Sequence, residues 1–143
     1  MRLRLISLFA VIAVAVPAVA LASQAKTLKF EAYLLGKSEI PKAAPAGKAT
    51  AKITITGTKV CWKFLSVKGI GKPVAAHIHK GGAKVGNGAV VVPLGAKYAA
   101  TGCTASTAAI VKGIVKDPKG YYVNIHTKKY PNGAVRGQLH AGD

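Results

Sequence analysis

Hydrophobic and polar positions alternate along much of the chain. Leu28, Phe30, Ala32 and Leu34 are separated by Lys29, Glu31 and Tyr33, the two-residue period of a strand with one buried face. Ala49, Ala51, Ile53 and Ile55 alternate with Thr50, Lys52, Thr54 and Thr56, the cleanest such stretch in the sequence. Gly57-Thr58 turns it into Val60–Val67, which carries Cys61, Trp62 and Phe64, so the pair predicts a hairpin. Shorter strands are predicted at Val74–His79, Val90–Leu94, Tyr121–Thr127 and Ala134–His140. The last two flank Pro131-Asn132-Gly133, a strong turn signal.

Between these strands the pattern weakens. Gly36 to Gly47 holds two prolines and two glycines and reads as an irregular connection. Lys80 to Gly88 contains Gly81, Gly82, Gly86 and Gly88 and reads as a tight loop needing positive φ. Tyr98 to Thr104 shows no period and is expected to be irregular. From Ala105 to Lys116 the period changes: Ala108, Ile110, Val111, Ile114 and Val115 fit spacings of three and four. Ser106 or Thr107 supplies a cap and Asp117-Pro118 a stop, so a short helix is predicted there. About seven short strands and one helix predict an all-β fold: an antiparallel Greek-key sandwich or barrel.

The first residues follow a different rule. Arg2 and Arg4 precede an apolar run, Leu5 to Val16, broken only by Ser7. Pro17 ends the run and Ala20-Leu21-Ala22 offers a small-x-small cleavage site, so residues 1–22 read as a secretory signal peptide. Cleavage after Ala22 is expected, with Ala25 the alternative, leaving 23–143 as one domain without a transmembrane segment. The expected location is extracytoplasmic: periplasm, cell wall or medium.

Charge and cysteine content sharpen this picture. Of 143 residues, 21 are Lys or Arg and 4 are Asp or Glu. With so few carboxylates, a paired-carboxylate glycosidase site and a carboxylate Ca²⁺ cage are both disfavoured. Arg136 is the one arginine outside the leader. Nucleic-acid readers use several arginines for bidentate contacts, so nucleic acid is not an expected partner. A lysine coat fits anionic envelope polymers, lipid headgroups or an acidic extracellular protein, or serves solubility alone. Two cysteines in an exported chain predict a Cys61–Cys103 disulfide, contributing roughly 3–4 kcal/mol. The rival, a thiolate metal pair, lacks CxxC spacing.

Candidate chemistry rests on histidine. His77 and His79, two apart on a strand, project from one face, and His126 stands near the end of another strand. If those strands are neighbours, three imidazoles converge. Such a set suits Cu²⁺, or Zn²⁺ as second choice, with water in the open positions. The competing reading makes the histidines braces that bond loop carbonyls. Asn124 shares a face with His126 and is a candidate for supporting the site or bridging loops. Arg136, between glycines, either packs structurally or meets an anion beside the histidines. His140 is expected to be exposed. No Gly-x-Ser-x-Gly, GxxxxGK[ST] or GxGxxG motif occurs, so nucleophilic catalysis and nucleotide binding lack support.

In sequence order come Ala76-His77-Ile78-His79-x-Gly81, Gly88-x-Val90-Val91-Val92-x-Leu94, Tyr121-Tyr122-Val123-Asn124-Ile125-His126-Thr127 and Gly133-Ala134-x-Arg136-Gly137-Gln138-Leu139. Together they resemble the CHRD domain, the module named from chordin, over roughly Leu28–Leu139. The resemblance implies an extracellular, non-enzymatic binding module and singles out His77, His79, Asn124, His126 and Arg136. A fainter similarity links the histidine spacing and the late Gly-x-x-Arg-Gly to copper-zinc superoxide dismutase. It implies a copper enzyme in which Arg136 guides the substrate. That family's fourth copper histidine and its zinc ligands have no counterpart here. A third reading is a structural envelope or matrix protein without metal.

Overall fold

The computed structural model describes residues 25–143; the expected signal peptide, 1–22, lies outside the described residues. Nine antiparallel strands form one sheet. They are β1 (Thr27–Leu35), β2 (Lys48–Thr56), β3 (Lys59–Lys68), β4 (Pro73–Lys80), β5 (Ala89–Pro93), β6 (Thr101–Ala105), β7 (Tyr121–Thr127), β8 (Val135–Gln138) and β9 (His140–Ala141). One helix, α1 (Ala108–Lys116), stands between β6 and β7. The spatial order is β5-β4-β7-β8-β1-β2-β3-β6, with β9 also on β1. The expected all-β antiparallel architecture is therefore present as a nearly closed, barrel-like sheet.

Alternation explains the interior. Phe30, Ala32 and Leu34 of β1, Ala51, Ile53 and Ile55 of β2, and Val60, Trp62 and Phe64 of β3 all point inward and are buried. Ala76 and Ile78 of β4, Val123 and Ile125 of β7, and Val135 of β8 line the opposite wall. The segment from Leu94 to Ala100 joins the two walls. Its Leu94 and Tyr98 amides donate to Ala76 O and Val74 O on β4. On the other side, Phe64 N donates to Ala100 O at 2.7 Å and Trp62 Nε1 to Ala99 O at 2.9 Å. Backbone groups that an open sheet would leave bare are thus paired across the seam.

Three local expectations change, and the helix cap left open between Ser106 and Thr107 is Thr107. Residues 101–105 are a strand rather than irregular chain, in register with β3 so that Cys61 faces Cys103 in a disulfide. Thr-Gly-Cys-Thr-Ala carries no hydrophobic alternation. Its place is set by the β3 edge, by the disulfide, and by Gly102, where any Cβ would collide with the Trp62 ring. The helix begins at Ala108, and Thr107 caps it by accepting a hydrogen bond from Ile110 N. The glycines of the 81–88 loop are not among those with positive φ, which are Gly57, Gly69, Gly71, Gly95 and Gly133. What Gly88 supplies instead is close approach: a Cβ there would run into the Lys80 carbonyl. Finally, the stretch Ala134–His140 divides into β8 and β9 around buried Leu139.

Candidate metal centre

β4 and β7 are neighbours, which is the condition the histidine reading required. Their register pairs His77 with Asn124, His79 with Tyr122 and Ala75 with His126. With Ala76, Ile78, Val123 and Ile125 turned into the core, period two turns His77, His79, Tyr122, Asn124 and His126 outward. On β8, paired to β7, Arg136 lies opposite Asn124 and Gln138 opposite Tyr122. Apart from His77 and Gln138, which are half-buried, these outward residues are not wet. His79 is 7% exposed, His126 9%, Asn124 1% and Arg136 1%. The loop over 81–88 folds back across this face and covers it.

Arg136 fastens that loop. Its NH1 donates to the Val85 and Gly86 carbonyls at 2.7 and 2.8 Å, and its NH2 to Ala83 and Gly82 at 3.1 and 3.4 Å. Its guanidinium carbon stands 4.1 Å from the Tyr122 ring centre. Tyr122 extends the fastening: its hydroxyl donates to Gly86 O and accepts from Gly88 N. Gln138 Nε2 adds Gly81 O, Lys119 O and Tyr121 O. Of the two readings of Arg136, packing against loop and ring matches this geometry; its terminal nitrogens are already committed to carbonyls.

The ligand atoms of His77, His79 and His126 lie within 4.8 Å of one another. Two imidazole nitrogens on one ion stand about 3.3 Å apart, from bonds of about 2.0–2.1 Å at a tetrahedral angle, so modest contraction completes the set. Two tautomers are fixed by the surroundings. His79 Nδ1 lies 2.7 Å from Gly88 O and His126 Nδ1 lies 2.8 Å from Pro131 O. A carbonyl only accepts, so both Nδ1 atoms carry the proton and both Nε2 atoms keep a lone pair. His79 Nε2 is buried and has no hydrogen-bond partner. His126 Nε2 sits 3.0 Å from His77 Nδ1 and 3.0 Å from the Asn124 amide oxygen position. The bracing and metal readings are therefore compatible: Nδ1 braces a loop and Nε2 remains available. Backbone carbonyls take the orienting role that carboxylates often fill.

Electrostatics hold His77 and His126 toward the neutral form. Burial lowers the His77 pKa to about 4, and His126 and His79 push it the same way. Burial also lowers His126, opposed by its bond to Pro131 O and assisted by His79. Neutral imidazole is the form that ligates a cation, so these residues stay competent near neutral pH.

His140 stands elsewhere, on β9. It stacks on Tyr33 with ring centres 5.2 Å apart and is half-buried rather than exposed. The covering role of the 81–88 loop and the place of Tyr122 in it were not foreseen. The signal available was four glycines followed, far along the chain, by a lone arginine between glycines. Glu39, buried under the 36–47 connection, was also missed, because an isolated Glu in an irregular stretch reads as surface. Burial raises its pKa to about 7, with the Arg136 charge pulling it back. No helix among the described residues is long and apolar enough to cross a membrane.

The family model described as the CHRD domain matches residues 30–139. That span runs from β1 through Leu139 and takes in all three histidines, Asn124, Arg136 and both cysteines. No curated protein and no solved structure matches the chain.

Proposed function

The chain belongs to the CHRD-domain family, and on that premise we propose that it is an exported, non-enzymatic binding module holding a transition metal. The ligands are His77, His79 and His126, with copper preferred to zinc. The observation that carries this reading is His79 Nε2: a buried lone pair without a partner, its tautomer fixed through Gly88 O and its tip close to two further imidazoles. A bound cation would satisfy that atom and replace the proton shared between His77 and His126. Asn124 and the Gly88 and Pro131 carbonyls hold the rings in place. When bound, the metal supplies a Lewis-acidic, water-bearing position. The lysine-rich surface serves association with an anionic partner.

Binding is favoured over dismutase-like chemistry because Arg136 gives its terminal nitrogens to Val85, Gly86, Ala83 and Gly82. An arginine held this way has no end left to guide an anion toward the histidines. The disulfide is compatible with an oxidising, extracellular setting. Calorimetric titration of the mature protein with Cu²⁺ and Zn²⁺ tests the site. One equivalent of tight binding, lost in His77→Ala/His79→Ala/His126→Ala, is the expected result. Equal, weak binding by both proteins would overturn it. N-terminal sequencing of the exported chain tests the leader, with Ser23 expected as the first residue and Lys26 marking the alternative cleavage.

A further inference from the structure

The Cys61–Cys103 bond lies on the outside of the barrel. Val60, Trp62 and Phe64 take the inward positions of β3, so period two turns Lys59, Cys61 and Lys63 outward. Cys103 stands directly opposite Cys61 in the middle of β6, a strand with no buried residue. β6 ends the sheet order and pairs with β3 alone among the described strands. Cys61 is half-buried, but Cys103 is exposed. A disulfide that only staples a core is shielded by that core; exposed ones are the bonds that exchange.

Exchange starts when a thiolate attacks one sulfur and expels the other. The two sulfurs here are not equivalent. A hollow of about 380 Å³ has Cys103 in its wall, with Thr58, Lys59, Thr104 and Ala105, and Cys61 is not part of that wall. Lys59 and Lys63 flank Cys61 on its own face of β3, and neither β3 nor β6 carries an acid. A thiolate released at Cys61 is therefore in positive surroundings, which favour it. Access selects Cys103 as the attacked sulfur, and charge favours Cys61 as the leaving one. β6 also has ties besides the bond. At its two ends Phe64 N donates to Ala100 O and Ser106 N to Thr58 O, and between them Gly102 lies against the Trp62 ring.

We propose that Cys61–Cys103 is a thiol-exchange site of the folded protein, entered at Cys103 by a partner dithiol. One thiolate of the dithiol attacks Cys103 Sγ; a new S–S bond forms there and the Cys61–Cys103 bond breaks. The electron pair of the broken bond leaves on Cys61 Sγ, which takes up a proton. The second thiol of the dithiol loses its proton, attacks the partner's own sulfur in the mixed disulfide and expels Cys103 as a thiolate, which is protonated in turn. Two electrons have then entered the protein, the dithiol has become a disulfide, and its two protons account for the two new thiols. The site lies on β3 and β6, whereas the histidines lie on β4 and β7, and it does not depend on a metal.

The test compares the rate of reduction of the mature protein by dithiothreitol in buffer and in denaturing guanidinium chloride. A bond opened only by global unfolding lags in buffer by the folding equilibrium constant, at least about a thousandfold. The expected lag is under about a hundredfold, and a larger one overturns the proposal. Glutathione followed by an N-ethylmaleimide quench locates the point of entry. Glutathione on Cys103 with maleimide on Cys61 is the expected product; the reverse assignment overturns the choice of Cys103. The amide spectrum of the ¹⁵N-labelled, reduced protein tests whether exchange belongs to the folded state. Shifts confined to residues 58–64 and 100–106 are expected. Loss of dispersion across β1 and β7 makes the bond a staple and overturns the proposal.

Discussion

Two walls of the same sheet treat their outer faces differently. On β2 the burial pattern swings between buried and open at each residue, and the outward Lys52, Thr54 and Thr56 meet water. On β7 every residue is buried. Both strands obey period two, and both turn apolar residues inward. The difference is the 81–88 loop, which lies over β4, β7 and β8. Water satisfies the outward polar groups of β2 one at a time. Those of β7 and β8 must satisfy one another and the loop above them, so their geometry is fixed collectively. A face arranged in this way can hold imidazoles close and neutral, which an open face has no means to do.

The largest expected effect follows from removing the fastening. Arg136→Ala leaves four carbonyls without their donor and should cost about 3–5 kcal/mol in urea unfolding. Arg136→Lys should recover little of this, because an ammonium cannot reproduce the planar fork. Next comes Tyr122→Phe, which deletes only the hydroxyl that bridges Gly86 and Gly88. It should cost about 1–3 kcal/mol and weaken metal binding as the His79 carbonyl partner loosens. If both variants unfold like the native chain, the loop is not what sets this wall apart.

A smaller effect concerns pH. An acid whose folded pKa is raised, as Glu39 is to about 7 from 4.5, holds its proton in the native state after the unfolded chain has released it. Its contribution therefore falls as pH rises from 4.5 through 7. Glu39→Gln removes that slope, so its Tm relative to the native chain should climb between pH 5 and 7 and level off above. A flat difference would place the carboxyl in water. The smallest effect is expected on the open wall: Thr54→Ala should change stability by no more than about 0.5 kcal/mol.

The open wall was also the legible one. Ala49–Thr56 announces its register because half its residues must face water, and the hairpin to β3 follows from Gly57-Thr58. β7 was legible as a strand, and His77, His79 and His126 as a possible set, because two-residue spacing fixes direction. Their adjacency was not legible, since it depends on β4 skipping β5 through β6 to find β7. Nor was the fate of Arg136 or Glu39, which is decided by loops whose path no short-range pattern encodes. β6 escaped notice because a strand pinned by a disulfide and one aromatic ring needs no alternation of its own.

The pairing of β1 has a consequence in time. One edge of β1 finds β2 almost at once, across a short stretch of chain. The other edge waits for β8 and for β9, where Phe30 meets Ala141 and Glu31 meets His140. A chain made from its N-terminus presents an open seam until residues 135–141 have emerged. Contacts so distant in sequence form late and slow the final step. The barrel closes only once residues 135–141 have reached β1, and until then β1 stands without a partner on one edge.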